Sequence, residues 1–391
     1  MKLTSYLLSA LSAALLLPCA AQSEEASTID PQIQAVAQAS INAPIKNADV
    51  DYSITHGGML VLDPRTGHIL AMAERHADGT TPTDGSYLLK TGYAPGNTFT
   101  VLTTAAALES GVVTADSLIN CNPFTAADGK LVSDIPFQYG AMAMKGVVIK
   151  GSRPGAARMA LSAKGKSFGD MLTRFGFAAE PKEGSLLGSC SVPDGTDAAA
   201  LAHAGYGTHI AVTPLHMAAA YAALANKGVY TEPRLTTDGT PAEGRRVVSE
   251  ENAAALLNML ESATRKDNPI PIRRGIASLA SVPGVRIAAM TGAQRIAKEE
   301  GAKPHGNQLS QYIYRVSCIG VVPADAPQLV VLVHLTVDST DDREFRFENL
   351  GPISGGTVAA PFFRAAVRGL IEAGVVKPTD PDAYAEYLKT L

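Results

Sequence analysis

What most constrains this chain is the place where its apolar periodicity changes. The runs Ile313 to Val321 and Leu329 to Val337 are apolar almost throughout and read as buried strands, and Val285 to Met290 reads the same way. A hairpin stands far upstream: Met59 to Leu62, the turn Asp63-Pro64-Arg65-Thr66-Gly67, then His68 to Ala73. Helical signals fill the space between. Asp30 is placed to cap Pro31 to Ile41, with Pro31 at the first helical position. Asn97 is placed to cap Thr98 to Leu108, which ends near Gly111. Ser167 opens Phe168 to Phe175, with Gly176 as the stop. Thr213-Pro214 opens Leu215 to Ala225, and Ser249 opens a helix to about Ala263 with Glu250 and Glu251 at its positive end. A last helix, Val358 to Glu372, follows Gly355-Gly356-Thr357. The order is hairpin, helices, strands and a closing helix, so the hairpin and the late strands can share one sheet. That is an α+β (mixed α/β) architecture and not a repeated βαβ unit.

The 391 residues, 46% apolar and 18% charged, supply ample core. Length alone admits two domains, but the element order favours one large mixed domain over 28–391. A net charge of -4 with no dense Lys/Arg run speaks against nucleic acid as a partner. Residues 1–21 read as a signal peptide: Lys2, the short apolar run Leu7 to Leu17, and small residues before Gln22. The competing readings are an uncleaved anchor and a lipoprotein acylated at Cys19, the latter disfavoured by Pro18. Residues 22–27 read as a disordered lead-in. Without the leader, no stretch is long and apolar enough to span a membrane, so the mature chain is expected outside the cytoplasm.

Cys121, Cys190 and Cys318 remain after leader removal. Cys318 sits in an apolar run and reads as a buried strand residue. Cys121 and Cys190 lie in loop-like sequence and form the candidate disulfide, provided their geometry matches. His203, His209 and His216 invite a metal reading, but no carboxylate or cysteine shares a ligand spacing with them. They read as solvated or structural histidines, with His216 on an exposed helix face. No metal or cofactor is expected. Arg343 to Arg346 reads as a solvated loop.

Several segments together resemble the penicillin-binding protein transpeptidase domain, especially the class B synthases. They are Gly58 to Ala73 (GMLVLDPRTGHILAMA), Tyr93 to Val112 (YAPGNTFTVLTTAAALESGV), Gly205-Tyr206-Gly207 with Val212 to Gly228, Ile287 to Gln294 (IAAMTGAQ) and Gly355 to Phe363 (GGTVAAPFF). They arrive in the family's order, from about Thr28 onward. The resemblance implies a central antiparallel five-stranded sheet flanked by helices plus a helical lobe, the fold shared with serine β-lactamases. It also implies substrates of the peptidoglycan stem-peptide class. No counterpart of the family's large N-terminal pedestal domain is expected in this sequence.

The family's active site is S-x-x-K, S-x-N and K-T-G. A serine hydroxyl needs a base to take its proton, and a lysine three residues on supplies one from the same helix face. Here the first motif reads Asn97-Thr98-Phe99-Thr100, with an amide for the nucleophile and a hydroxyl for the lysine. No lysine in the chain has a serine three residues before it. The second motif maps to Ser152-Arg153-Pro154, its asparagine replaced by a proline without an N–H. The third maps to Met290-Thr291-Gly292-Ala293, with methionine for lysine. Losing such groups costs several powers of ten in rate. Ser152, Arg153, Thr291 and Gly292 are the candidates for lining a surviving cleft, and Arg153 could meet a carboxylate there rather than form a surface ion pair.

Two functions are weighed. The first is a pseudoenzyme of the envelope that binds peptidoglycan stem peptides or scaffolds a cell-wall synthesis protein. The second is an active D,D-transpeptidase, carboxypeptidase or acyl hydrolase with a non-family nucleophile such as Ser152, Thr98 or Thr100. An unrelated exported structural protein is disfavoured by the ordered set of segments.

Overall fold

A computed structural model of the chain describes residues 25–46, 50–82, 84–134, 137–163, 165–177, 180–181, 183–193, 195–266, 274–298, 309–341 and 352–390. The proposed leader, Cys19 and Arg343 to Arg346 lie outside them. Five strands form one antiparallel sheet: β1 (Tyr52–Leu62), β2 (Ile69–His76), β3 (Ala288–Ala297), β4 (Tyr312–Val322) and β5 (Leu329–Ser339), in the order β3-β4-β5-β1-β2. Register is set by pairs such as Met290 with Ile319 and Val333 with Met59. Residues 329–335 of β5 are all buried, which explains why that strand reads as a continuous apolar run and not as an alternating one. Cys318 is fully buried in β4, as its apolar surroundings predict. The strand at Val285 to Met290 begins later than its apolar run suggests and continues through polar residues to Ala297. One end of that strand is therefore core and the other faces outward.

Besides two short helices, Ser86–Lys90 and Pro381–Leu388, the described helices are α1 (Pro31–Ile41), α2 (Thr100–Glu109), α3 (Met144–Lys150), α4 (Arg153–Ser162), α5 (Gly165–Arg174), α6 (Ala198–Gly205), α7 (Pro214–Ala225), α8 (Glu250–Ala263) and α9 (Ala360–Glu372). Helices α1 and α9 pack on each other and on the sheet; α7 and α8 do likewise. Helices α2, α4, α5 and α6 pack among themselves as the helical lobe. Asp30 caps α1 through the amides of Gln32 and Ile33, as expected. The closing helix is entered through a π-helical turn, Gly355–Ala359, capped by Ser354.

Three expectations are corrected. The lead-in is not all irregular: Ala26–Ser27 pair with Thr236–Thr237, and Thr236 donates to the Glu25 carboxylate at 2.7 Å. Backbone pairing orders a segment whose polar side chains carry no signal for it. His216 is fully buried, because every residue of α7 is buried; it stacks on Phe177, and its Nδ1 bonds the Thr213 hydroxyl at 2.8 Å. Cys121 and Cys190 are thiols and not a disulfide. The Cys121 sulfur is engaged by the Ile119 carbonyl at 3.4 Å and lies against α4 at Gly155, whereas Cys190 precedes Ser191, which bridges to Ala211. The two sulfurs are built into different packing.

Candidate ligand-binding cleft

The chain entering α2 makes a tight turn before the helix begins. Gly96–Phe99 is a 3-10 turn, and the α-helix starts only at Thr100. Asn97 is therefore inside the turn and does not cap, which corrects the cap expected from its position. The cause is local: the Thr98 hydroxyl donates to the Pro95 carbonyl at 2.8 Å, and the Gly96 amide to Gly207 at 3.0 Å, which winds the segment tighter than an α-helix. Asn97 is half-buried and faces a cleft of about 310 Å³, a volume suited to a small ligand or peptide end. Thr100 is fully buried and its hydroxyl has no hydrogen-bond partner. Thr98 is also fully buried, its hydroxyl already used. Neither threonine can reach a ligand.

The opposite wall is β3, an edge strand of the sheet, which contributes Thr291, Gly292 and Ala293. Met290 is fully buried and lies outside the lining. Gly292 has a steric reason: a Cβ there would stand 2.1 Å from the Pro95 carbonyl oxygen, so a side chain would push β3 off the turn that carries Asn97. The Thr291 hydroxyl donates to the Ile276 carbonyl at 3.1 Å, tying β3 to the 274–276 segment.

The third wall is the junction of α3 and α4. Gly151 adopts φ +60°, and a Cβ there would come within 2.5 Å of the Asn97 amide nitrogen. Gly151 therefore stands directly against the Asn97 side chain. Ser152 is turned inward and fully buried; it caps α4, donating to Asp134 Oδ2 at 2.6 Å and accepting from the Gly155 amide at 3.3 Å. The Arg153 amide donates to Asp134 Oδ1 at 2.9 Å. Burial raises the Asp134 carboxyl above the usual range, and the Ser152 and Arg153 bonds draw it back. Arg153 lines the cleft, while Pro154 is buried in the first turn of α4. Of the two cleft candidates on this wall, Arg153 lines the cleft as expected, whereas Ser152 is buried outside its lining. Helical direction makes the difference, because Ser152 spends its hydroxyl on the cap.

Sequence reasoning missed five contributors. Lys150 and Arg274 line the cleft, and Lys150 Nζ donates to the Arg274 carbonyl at 3.0 Å. Phe137 and Tyr139 stack with centroids 5.8 Å apart at the rim. Tyr206, also lining, bonds His203 Nδ1 through its hydroxyl, and His203 Nε2 bonds Asp128 at 3.1 Å. Asp128 lies 75 residues before His203, so no local spacing announces the pair. His209 lies beside His203 at 4.4 Å, while His216 belongs to α7. Among the described residues no group of three or more His, Cys, Asp or Glu is placed to hold a metal.

Residues 57–366 match the penicillin binding protein transpeptidase domain. The chain belongs to that family. The peptidoglycan D,D-transpeptidase FtsI of Escherichia coli K12 is 27% identical over 362 residues, covering 90% of this chain and 56% of that protein. The penicillin-binding protein PbpB of Mycolicibacterium smegmatis is 29% identical over 383 residues, covering 91% and 55% respectively. The chain thus spans about half the length of these curated relatives. Among solved structures, the transpeptidase domain of Burkholderia pseudomallei penicillin-binding protein 3 superposes with a TM-score of 0.70 at 25% identity, covering 91% of this chain and 98% of that one. The transpeptidase fold and its antiparallel sheet are therefore those of the family, as the ordered segments predicted. Among the described residues no helix is long and apolar enough to cross a membrane.

Proposed function

We propose that this chain is a non-catalytic member of its family, exported from the cytoplasm, that uses the cleft to hold peptidoglycan stem peptides or to scaffold an active cell-wall synthase. The carrying observation is the trio Asn97, Thr100 and Met290. An amide stands at the turn where the family's chemistry needs a hydroxyl, and the two positions that would supply lysines are fully buried and uncharged. Lys150 does line the cleft, but the side chain at the turn on that side is Asn97 and not a serine, so the turn offers it no hydroxyl to activate. The relatives FtsI and PbpA carry the name D,D-transpeptidase, so the departure rests on these side chains and not on the fold.

One observation favours a second reading, an acyl hydrolase. The chain Asp128–His203–Tyr206 sets a base and an orienting carboxylate behind a hydroxyl in the cleft wall. Burial pushes the Tyr206 hydroxyl upward, away from the ionised form a nucleophile needs, which places this reading second. Intact-mass analysis after incubation with a labelled penicillin separates the two. The non-catalytic reading expects no stoichiometric adduct; an ester on any side chain refutes it, and peptide mapping of that ester to Tyr206 would establish the alternative.

A further inference from the structure

A second cavity, of about 510 Å³, lies apart from the cleft and shares no lining residue with it. Three pieces of chain form its walls: residues 183–185, 232–234 and 242–245. Behind it, Val229–Thr231 pairs antiparallel with Gly244–Arg246, which sets Arg245 opposite Tyr230. The Arg245 guanidinium is held there. Its carbon stands 4.2 Å from the centre of the Tyr230 ring, and its Nε donates to the Arg174 carbonyl at 2.8 Å. The Arg234 backbone is tied to the hairpin of β1 and β2: its amide donates to the Gly67 carbonyl at 2.9 Å, and its carbonyl accepts from the Ile69 amide at 2.9 Å and the Thr28 hydroxyl at 3.0 Å. Glu232 and Arg234 flank the buried Pro233, and both line the cavity. Ser185 donates to one Glu232 oxygen at 2.7 Å, which leaves the other open. Glu183 and Glu243 also line it and are exposed. These charges do not neutralise one another: among the described residues no ion pair includes Arg234, Arg245, Glu183, Glu232 or Glu243. Walls that hold both signs unpaired offer a ligand complementary partners for both at once.

We propose that this cavity binds a short basic peptide with free ends, its carboxylate met by Arg245 and Arg234 and its ammonium groups by Glu232, Glu243 and Glu183. A guanidinium meets a carboxylate with two parallel N–H donors, and Arg245 is already oriented by Tyr230 and the Arg174 carbonyl. An ammonium is a compact charge with three donors, which the open Glu232 oxygen and the two exposed carboxylates can share. The three glutamates repel a simple anion and the two arginines repel a simple polyamine, so the walls select a ligand that carries both signs. With three carboxylates against two guanidiniums, the complementary ligand has one ammonium more than it has carboxylates. The volume is within the range of small-ligand sites. None of these residues belongs to the cleft, so the inference stands whether or not the non-catalytic reading does.

The test is calorimetric titration of the whole chain with the dipeptide glycyl-lysine, which carries two ammonium groups and one carboxylate. Three versions each remove one charge: N-acetylglycyl-lysine, glycyl-lysinamide and glycyl-norleucine. Each removal is expected to weaken binding about tenfold, the size of one charged hydrogen-bonded contact, and high salt should narrow the differences. Arg245→Gln should bring the acid and the amide to equal affinity, and Glu232→Gln should shrink the preference for lysine over norleucine. Lys389→Gln, exposed and paired with Glu386, should change nothing. Circular dichroism checks that the variants are folded. Should Arg245→Gln or Glu232→Gln unfold, Glu243→Gln keeps the test open, because that side chain is exposed and has no hydrogen bond among the described residues to lose; it too should shrink the preference for lysine. Equal behaviour of the four peptides, shared failure to bind included, overturns the proposal. Tighter binding of the amide than of the acid overturns the part given to the arginines and leaves a plain cation site. Charge preferences that persist unchanged in every folded variant place the peptide elsewhere and overturn the assignment. A penicillin ester bears on the cleft alone.

Discussion

Replacing Ser152 by alanine separates a structural serine from a catalytic one. The hydroxyl makes two buried bonds, to Asp134 Oδ2 at 2.6 Å and from the Gly155 amide at 3.3 Å. Losing the cap bond costs about 1 kcal/mol, and leaving a buried carboxylate short of a charge-assisted donor costs about 1.5–3 kcal/mol. Ser152→Ala should therefore destabilise the fold by about 2–4 kcal/mol in urea unfolding followed by circular dichroism. The companion is Asp134→Ala, which removes the stranded charge. In the double variant the two partners disappear together, so its cost should fall short of the sum of the singles by about 1–2 kcal/mol. Peptide binding by the folded Ser152→Ala protein should be unchanged. A cost below about 0.5 kcal/mol, or strict additivity with Asp134→Ala, would refute the assignment of Ser152 to the core.

Acid should unfold this protein through its buried histidines. His334 packs between Tyr87 and Tyr93 with neither ring nitrogen hydrogen-bonded; burial, aided by Arg315, lowers it from 6.5 to about 3. An unfolded histidine takes up its proton near pH 6.5 and the folded one does not until about pH 3, so this contribution is whole above 6.5 and is lost as pH falls toward 3. His334→Leu should flatten stability against pH between 6 and 4 by about 1.4 kcal/mol per unit, one proton's worth; an unchanged slope rejects the reading. His216, lowered by burial to about 4, should leave a residual slope of the same sign. Gly151→Ala places a side chain at φ +60° against Asn97, and should cost about 1–2 kcal/mol by the same unfolding assay while weakening ligands in the cleft; a neutral result would contradict the close approach.

Several features were legible from local pattern. The run Leu329 to Val337 announced a strand buried on both faces, and Asp30-Pro31 announced its helix, because each signal lies within a few residues. The residue types at the proposed motif positions, such as Asn97, Thr100 and Met290, were readable because they are what they are in any conformation. Other expectations failed where a partner lies far along the chain. Ser152 looked like a motif serine until Asp134, 18 residues earlier, claimed its hydroxyl. His216 looked exposed because α7 has one polar ring, and its burial comes from packing on every side.

By itself, the sequence determined the class of fold and the order of its elements, because composition and short-range periodicity do not depend on distant contacts. Only the tertiary structure decided which side chains share the cleft. Lys150 and Arg153 stand three residues apart across the junction of α3 and α4, but Arg274 lies 124 residues beyond Lys150, and no spacing announces that it lines the same cleft; the tie from Lys150 to the Arg274 carbonyl brings it there.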